Sequence, residues 1–298
     1  MNEKKLKLNI NFILNQSTLK VDELSIIDAI FVTVYNNNIV LFKTLIKLVN
    51  NVVNIKNYKE ESIFTSAVMN NSGDILDEIL QYPNFDSNNH QIVDDFINLL
   101  CNNKEPSIEI MDKILNYDKD HSHLIDFNKL LHNGKTYFTS ITNIEYEDIP
   151  NLLLENGADP NLPDKFGVYP LEHAIKIQSL PFVASLVNSN KINFAQLPNG
   201  DTYLHISART SNTGIFSFLL ETNLIDINAE NMSGNTVLIE ACKIQCLEII
   251  DLLFTKDNLD FLHCNKAGID ALNIIKLLQL DEYNEAKQSQ KAYHNKIS

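Results

Sequence analysis

Four cysteines and eight histidines are the residues whose types could do chemistry in this chain. Cys242 and Cys246 stand one helical turn apart, and His263 and Cys264 follow, so three thiols and an imidazole offer the donors that zinc takes. His121 and His123 form a His-x-His pair with His132 nearby. The segment from Cys101 to His132 is therefore the place for an inserted metal-dependent or catalytic site, the alternative to a purely structural reading. The acidic pairs Glu60-Glu61, Asp94-Asp95 and Asp281-Glu282 have no second group converging on them and read as solvated faces. The sequence holds no Gly-rich phosphate loop, no Gly-x-Ser-x-Gly, no His-Glu-x-x-His and no Cys-x-x-Cys. The expectation is a protein that is not an enzyme and uses no cofactor and no metal.

Composition narrows the classes further. The 298 residues are 44% hydrophobic and 21% charged, with eight Gly and eight Pro, enough apolar material for a core and too little Gly and Pro for a disordered polymer. Twenty-four Lys and Arg against thirty-eight Asp and Glu leave a formal charge of -14, which repels phosphate backbones and anionic lipid, so neither nucleic acid nor membrane is expected as a partner. Met1 to Leu14 is interrupted by Lys7, Asn9 and Asn11 and does not read as a signal peptide, and no run of about 18 apolar residues occurs. Four scattered cysteines suit a reducing, cytoplasmic compartment, with delivery by a specialised secretion route left open. Forty asparagines, scattered rather than in tracts, point to many turns or to a biased genome.

These residues sit on a period. Gly134, Gly167, Gly200, Gly234 and Gly268 are separated by 33, 33, 34 and 34 residues, and four positions after each stands an apolar residue: Phe138, Leu171, Leu204, Leu238, Leu272. A second marker keeps the same step: Asp126-Phe127-Asn128, Asp159-Pro160-Asn161 and Asp226-Ile227-Asn228, with Ile192-Asn193 filling the gap. Val53-Asn54 and Asp86-Ser87-Asn88 extend it towards the N-terminus. After each glycine a turn leads into a short helix with small residues, Ala174, Ser207, Ala208 and Ala241, on one side. A second helix follows, with apolar residues such as Ile215, Phe218 and Leu219, or Leu247, Ile250, Leu252 and Leu253, at helical spacing. Two or three turns of helix are unstable alone, so burial against the adjacent unit must hold each one.

Gly200 to Ala208 keeps Gly, Thr, Leu and His, Gly167 to Ala174 keeps Gly, Pro, Leu and Ala, and Gly234 to Ala241 keeps Gly, Thr, Leu and Ala, while Leu152 to Asn161 reads Leu-Leu-Leu-Glu-Asn-Gly-Ala-Asp-Pro-Asn. The pattern resembles the ankyrin repeat, a turn plus two helices. The resemblance implies an all-α solenoid of about eight helix-turn-helix units with β-turn or hairpin tips and a divergent N-terminal cap whose outer face is polar. The units are expected at 23–56, 57–88, 89–128, 131–161, 164–194, 197–229, 231–262 and 265–280, one domain over 1–298 with a polar tail at 281–298. The N-terminal third departs from the signature: Glu60 stands where the turn glycine belongs, and residues near Asn102 to Pro106 read as extra loop. In this register Cys242 takes a packed small-residue position and His205 a bond beside Thr202 within the turn. The resemblance also allows hydroxylation of a turn asparagine such as Asn161 or Asn228.

In such a stack, equal repeat positions align into columns on a concave face. The turn column comprises Lys165, Phe166 and Val168, Asn199 and Asp201, then Met232, Ser233 and Asn235, and the helix column comprises Lys176 and Ile177, Arg209 and Thr210, then Lys243 and Ile244. The expected function is a scaffold or adaptor that binds a protein of unknown identity on these columns, as a monomer. Replacing Phe166, Arg209 and Met232 together is expected to weaken partner capture and leave the circular dichroism unchanged. A nucleic-acid site along Lys165, Lys176, Arg209 and Lys243 is the weakest alternative.

Overall fold

A computed structural model describes residues 23–49, 55–82, 96, 107–121, 125–142 and 148–277. Fourteen α-helices and one 3-10 turn make up the regular structure of the described residues, which contain no strand; isolated bridges join Lys56 to Ser62 and Cys264 to Asp270. The chain divides into two compact units, Met1–Asp126 and Phe127–Ser298.

In the first unit, α1 (Glu23–Tyr35) and α2 (Ile39–Leu45, continued by a 3-10 turn at Ile46–Leu48) form a pair. Next come α3 (Ile63–Met69), α4 (Gly73–Leu80) and α5 (Ile108–His121). Ile30, Phe42, Ile63, Phe64, Ala67, Ile75 and Leu76 fill the core, each large side chain contributing roughly 1.5–3 kcal/mol by leaving water. Ser72 Oγ donates to Val34 O at 2.6 Å and ties the α3–α4 corner to the end of α1. The α1–α2 pair, expected as a cap with a polar outer face, exposes Val32, Tyr35 and Val40. Cys101 to Pro106 and His123 lie outside the described residues, as do Asp86-Ser87-Asn88 and the tail at 281–298.

The second unit repeats one design. First helices α6 (Tyr137–Ser140), α8 (Pro170–Lys176), α10 (Tyr203–Arg209), α12 (Val237–Ile244) and α14 (Ala271–Leu277) alternate with second helices α7 (Asp148–Glu155), α9 (Leu180–Asn188), α11 (Thr213–Glu221) and α13 (Leu247–Phe254). Ala174, Ser207, Ala208 and Ala241 are completely buried, so the small residues sit where the helices close on one another. Ile215, Phe216 and Leu219 on α11 and Ile249, Ile250 and Leu253 on α13 face inward; Phe218 and Leu252 are only half-buried, one step off the expected seam.

Every first helix is introduced by the same five-residue turn. Its first residue donates N–H to the fifth residue's carbonyl, and its fourth donates back to the first: Leu197 N to Asp201 O at 2.9 Å and Gly200 N to Leu197 O at 2.7 Å, with the same pair at 131–135, 164–168, 231–235 and 265–269. The fourth residue has φ between +72° and +81° in all five, a region in which a Cβ is strained, so glycine recurs there. The first unit contains a sixth copy at 57–61, where Asn57 N bonds Glu61 O and Glu60, φ +63°, holds the strained position. The repeat turn forms without its glycine, with Glu60 at the position the sequence register assigned it. Glu60→Gly is expected to stabilise the chain by about 0.5–1 kcal/mol: roughly 1–2 kcal/mol of left-handed strain disappears, and the greater freedom of glycine in the unfolded chain takes back part. The 3.5 Å contact of Glu60 with Lys56 joins exposed side chains and contributes little. Urea denaturation measures the change; an unaltered midpoint would contradict it.

The asparagines also find their reason here. Asn37 and Asn71 hold positive φ at the corner between first and second helices, and Asn190 and Asn223 do so after the second helix, because asparagine tolerates this conformation better than most residues. Others stitch repeats together: Asn161 Nδ2 donates to Lys191 O and its Oδ1 accepts from Asn193 N, and Asn128 and Asn228 make the same two bonds to the units that follow them. Asn193 therefore occupies the Asp position of the Asp-x-Asn marker, and Ala195 takes the ladder position and leaves that rung out.

Candidate protein-binding face

The strip built from turns and first helices of the second unit carries all fourteen residues expected to contact a partner. Backbone bonds join three of its four pairs of successive turns, Lys165 N to Gly134 O at 2.8 Å, Met232 N to Asn199 O at 3.4 Å and Lys266 N to Ser233 O at 3.2 Å, while Pro198, without an N–H, stands at the donor position between the turns at 164–168 and 197–201. Phe166 and Met232 are each 68% exposed. Lys165 lies with Nζ 4.9 Å from the centre of the Phe166 ring, a cation–π contact that orders an otherwise loose side chain. Asn199, Ser233, Lys176 and Lys243 are exposed, and Val168, Ile177, Thr210 and Ile244 are half-buried along the same strip.

Asp201 and Asn235 are placed differently: both are buried in a polar network beneath the strip. Arg209 Nη1 and Nη2 grip Asp201 at 2.6 and 2.9 Å, and its Nε reaches Glu240 of the next repeat at 3.2 Å. Asn231 donates to Asp201 at 3.0 Å, Asn235 donates to Glu240 at 2.7 Å, and Asn265 donates to Asn235 at 2.7 Å. Charge and hydrogen bonds thus run through three successive repeats. Burial alone would push the Asp201 and Glu240 carboxyls up, but the bonds from Arg209, with Asn231 and Asn235 respectively, outweigh it and hold both below the usual carboxylate range. The Asp201 bond in turn keeps Arg209 more firmly protonated.

This network bears on one expectation. Arg209 is part of the scaffold as well as of the surface, so the triple change with Phe166 and Met232 is expected to lower the stability of the fold as well as to weaken capture. The links of Glu240 to Arg209, of Asn231 to Asp201 and of Asn265 to Asn235 each span 30 or 31 residues, so no local signal announced them. The other cations in the column are paired too, Lys176 with Glu172 at 2.7 Å and Lys243 with Glu240 at 4.0 Å.

His205 does more than close its own turn. Its Nε2 faces Asn235 O at 2.9 Å and must donate, so Nδ1 is the bare nitrogen that accepts from Thr202 N–H at 3.2 Å and from the Thr202 hydroxyl at 2.8 Å. The geometry fixes a neutral ring that joins two repeats, and burial lowers its proton affinity, as it does for His173, whose Nε2 lies 2.7 Å from Ile141 O. The folded values lie below the unfolded value of about 6.5, so below that pH the unfolded chain takes up protons that the folded rings refuse. Stability therefore falls as the pH drops from about 6.5, by up to about 1.4 kcal/mol per pH unit for each of the two rings. His205→Gln, which keeps a donor for Asn235, is expected to remove one of these contributions in denaturation curves between pH 6.5 and 5.5. An unchanged slope would show that His205 does not titrate in this way.

Among the described residues the thiols do not converge. Cys242 is buried in α12 and its thiol is pushed up to about 12 by burial, Cys246 precedes α13 with Sγ 3.6 Å from Glu248, and Cys264 is exposed. His263 directs Nε2 to Gly234 O at 2.8 Å. Among the described residues no three His, Cys, Asp or Glu side chains are grouped to hold a metal ion, and no helix is long and apolar enough to cross a membrane.

Comparison with known proteins identifies the repeat. The family described as "Ankyrin repeats (3 copies)" matches residues 138–231 and 171–266. A relative, transient receptor potential cation channel subfamily A member 1 of Homo sapiens, is 34% identical over 97 residues, 31% of this chain. The match spans 8% of that protein's length. Ankyrin repeats are in general modules of protein–protein interaction.

Proposed function

We propose, for a chain whose residues 138–266 are ankyrin repeats, that the strip of turns and first helices binds a partner protein inside the cell and performs no catalysis, the chain acting as a monomeric scaffold or adaptor. The observation that carries this reading is the 68% exposure of both Phe166 and Met232 on turns whose backbone is fixed by bonds to neighbouring turns. Exposed apolar side chains on a rigid frame lose little freedom when a partner covers them, so most of the burial energy remains for binding. Lys165, Lys176, Asn199, Ser233 and Lys243 surround them with polar groups, the usual arrangement of an apolar centre and a polar rim.

Phe166→Ser with Met232→Ser is the experiment, since neither side chain contributes to the core. Thermal melting is expected to stay within about 1 °C of the parent, while affinity for a captured partner weakens at least tenfold, about 1.4 kcal/mol. A partner held as tightly by the double variant would move the site off this strip.

A further inference from the structure

Charge is divided between the two sides of the repeats. Among the described residues of 127–277, the turns and first helices carry seven cations, six of them exposed, and five carboxylates, none exposed: Asp164, Asp201 and Glu240 are buried, Glu172 and Asp270 half-buried. The second helices and the loops after them carry ten carboxylates, every one exposed, against Lys129, Lys191 and Lys256. A chain with a formal charge of -14 therefore offers solvent a cationic strip on one side. Hydrogen bonding produces this sorting. Glu172, Asp201 and Glu240 are drawn inward as acceptors, with 14%, 5% and 11% of their side chains exposed, while their partners Lys176, Arg209 and Lys243 keep 53%, 38% and 40% in water.

Lys176, Arg209 and Lys243 occupy one position in three successive repeats whose first helices pack side by side, α8 on α10 and α10 on α12. Packed helices stand about 8–10 Å apart, and an extended chain covers that distance in about three residues. Phe166 and Met232 flank the row on the turn tips.

Resting on the binding face proposed above, we infer that its ligand is an extended acidic segment of a protein, with carboxylates about three residues apart and apolar side chains for Phe166 and Met232. A nucleic acid fits less well. The cations are already half-neutralised by carboxylates beneath them, the chain as a whole repels a polyanion, and two of the strip's most exposed side chains are apolar.

A random dodecapeptide library selected on the full chain at about 50 mM salt tests this. Enriched peptides are expected to be net negative, with Asp or Glu at intervals of about three residues. A selected peptide should bind at least tenfold more weakly to Lys176→Gln/Lys243→Gln, a variant expected to melt like the parent because both lysines are exposed, and raising the salt to about 300 mM should weaken it similarly. Selection of neutral or basic peptides that still need Phe166 and Met232 would overturn the acidic chemistry and keep the binding face. An oligonucleotide of equal length that binds more tightly than any peptide would overturn it in favour of nucleic acid. Failure of every peptide to depend on either set of residues would overturn both readings.

Discussion

Arg209→Ala is expected to lower the free energy of unfolding by about 2–3 kcal/mol at pH 7. Removal of one partner of a fully buried ion pair costs about 3–5 kcal/mol, because the remaining charge has left water and lost its counter-ion. Here two carboxylates are stranded, Asp201 and Glu240, with 5% and 11% of their side chains exposed. The figure is reduced because 38% of the Arg209 side chain is in water and because Asn231 and Asn235 still donate to the carboxylates. The pH dependence has a definite sign. In the parent, both carboxyls are held below their ordinary range and their stabilisation is lost as the pH falls through those depressed values. In the variant, burial without Arg209 raises them, protonation relieves the stranded charge, and the difference between the two proteins narrows towards pH 4. Arg209→Met combined with Asp201→Asn and Glu240→Gln should recover most of the loss, since no charge then remains buried. Urea denaturation of the three proteins at pH 7 and pH 4 decides; a loss below about 1 kcal/mol that does not vary with pH would mean the network contributes little.

Gly200→Ala should cost about 3–4 kcal/mol and Gly167→Ala only about 1–2 kcal/mol, although both residues hold the same conformation. At φ +76° and +79° each substitution meets the same intrinsic strain. They differ in their neighbours. A Cβ on Gly200 falls 2.7 Å from Met232 N and 3.1 Å from the Asn231 carbonyl carbon, which are backbone atoms that cannot turn aside, whereas a Cβ on Gly167 meets nothing within 4 Å. The gap between the two measured losses is therefore the contribution of close approach between successive turns. Equal losses would show that the repeats can part at no cost.

Both expectations concern what joins repeats, and here sequence and structure separate. The period of glycines, the short helices between them and the small residues at 174, 207, 208 and 241 could all be read from the chain, because each reflects a local requirement: a left-handed turn residue, helical spacing of apolar groups, room for two helices to close. Phe166 and Met232 were legible as exposed because the turn register alone places them on tips. The turn at 57–61 was legible by register, with Glu60 where the glycine belongs, since glycine eases this conformation and is not its only possible occupant.

What the sequence by itself determined was thus the repeat, its helices and the positions that share a column. The tertiary structure alone decided which members of a column face water. Asp201 and Asn235 hold turn positions like their exposed neighbours, yet they are buried, because Arg209 and Asn231 approach Asp201 while Glu240 and Asn265 approach Asn235. Position in a repeat is a property of spacing along the chain, whereas the fate of a polar group depends on whether complementary groups from its own repeat and the next converge on it, and that pairing follows from packing.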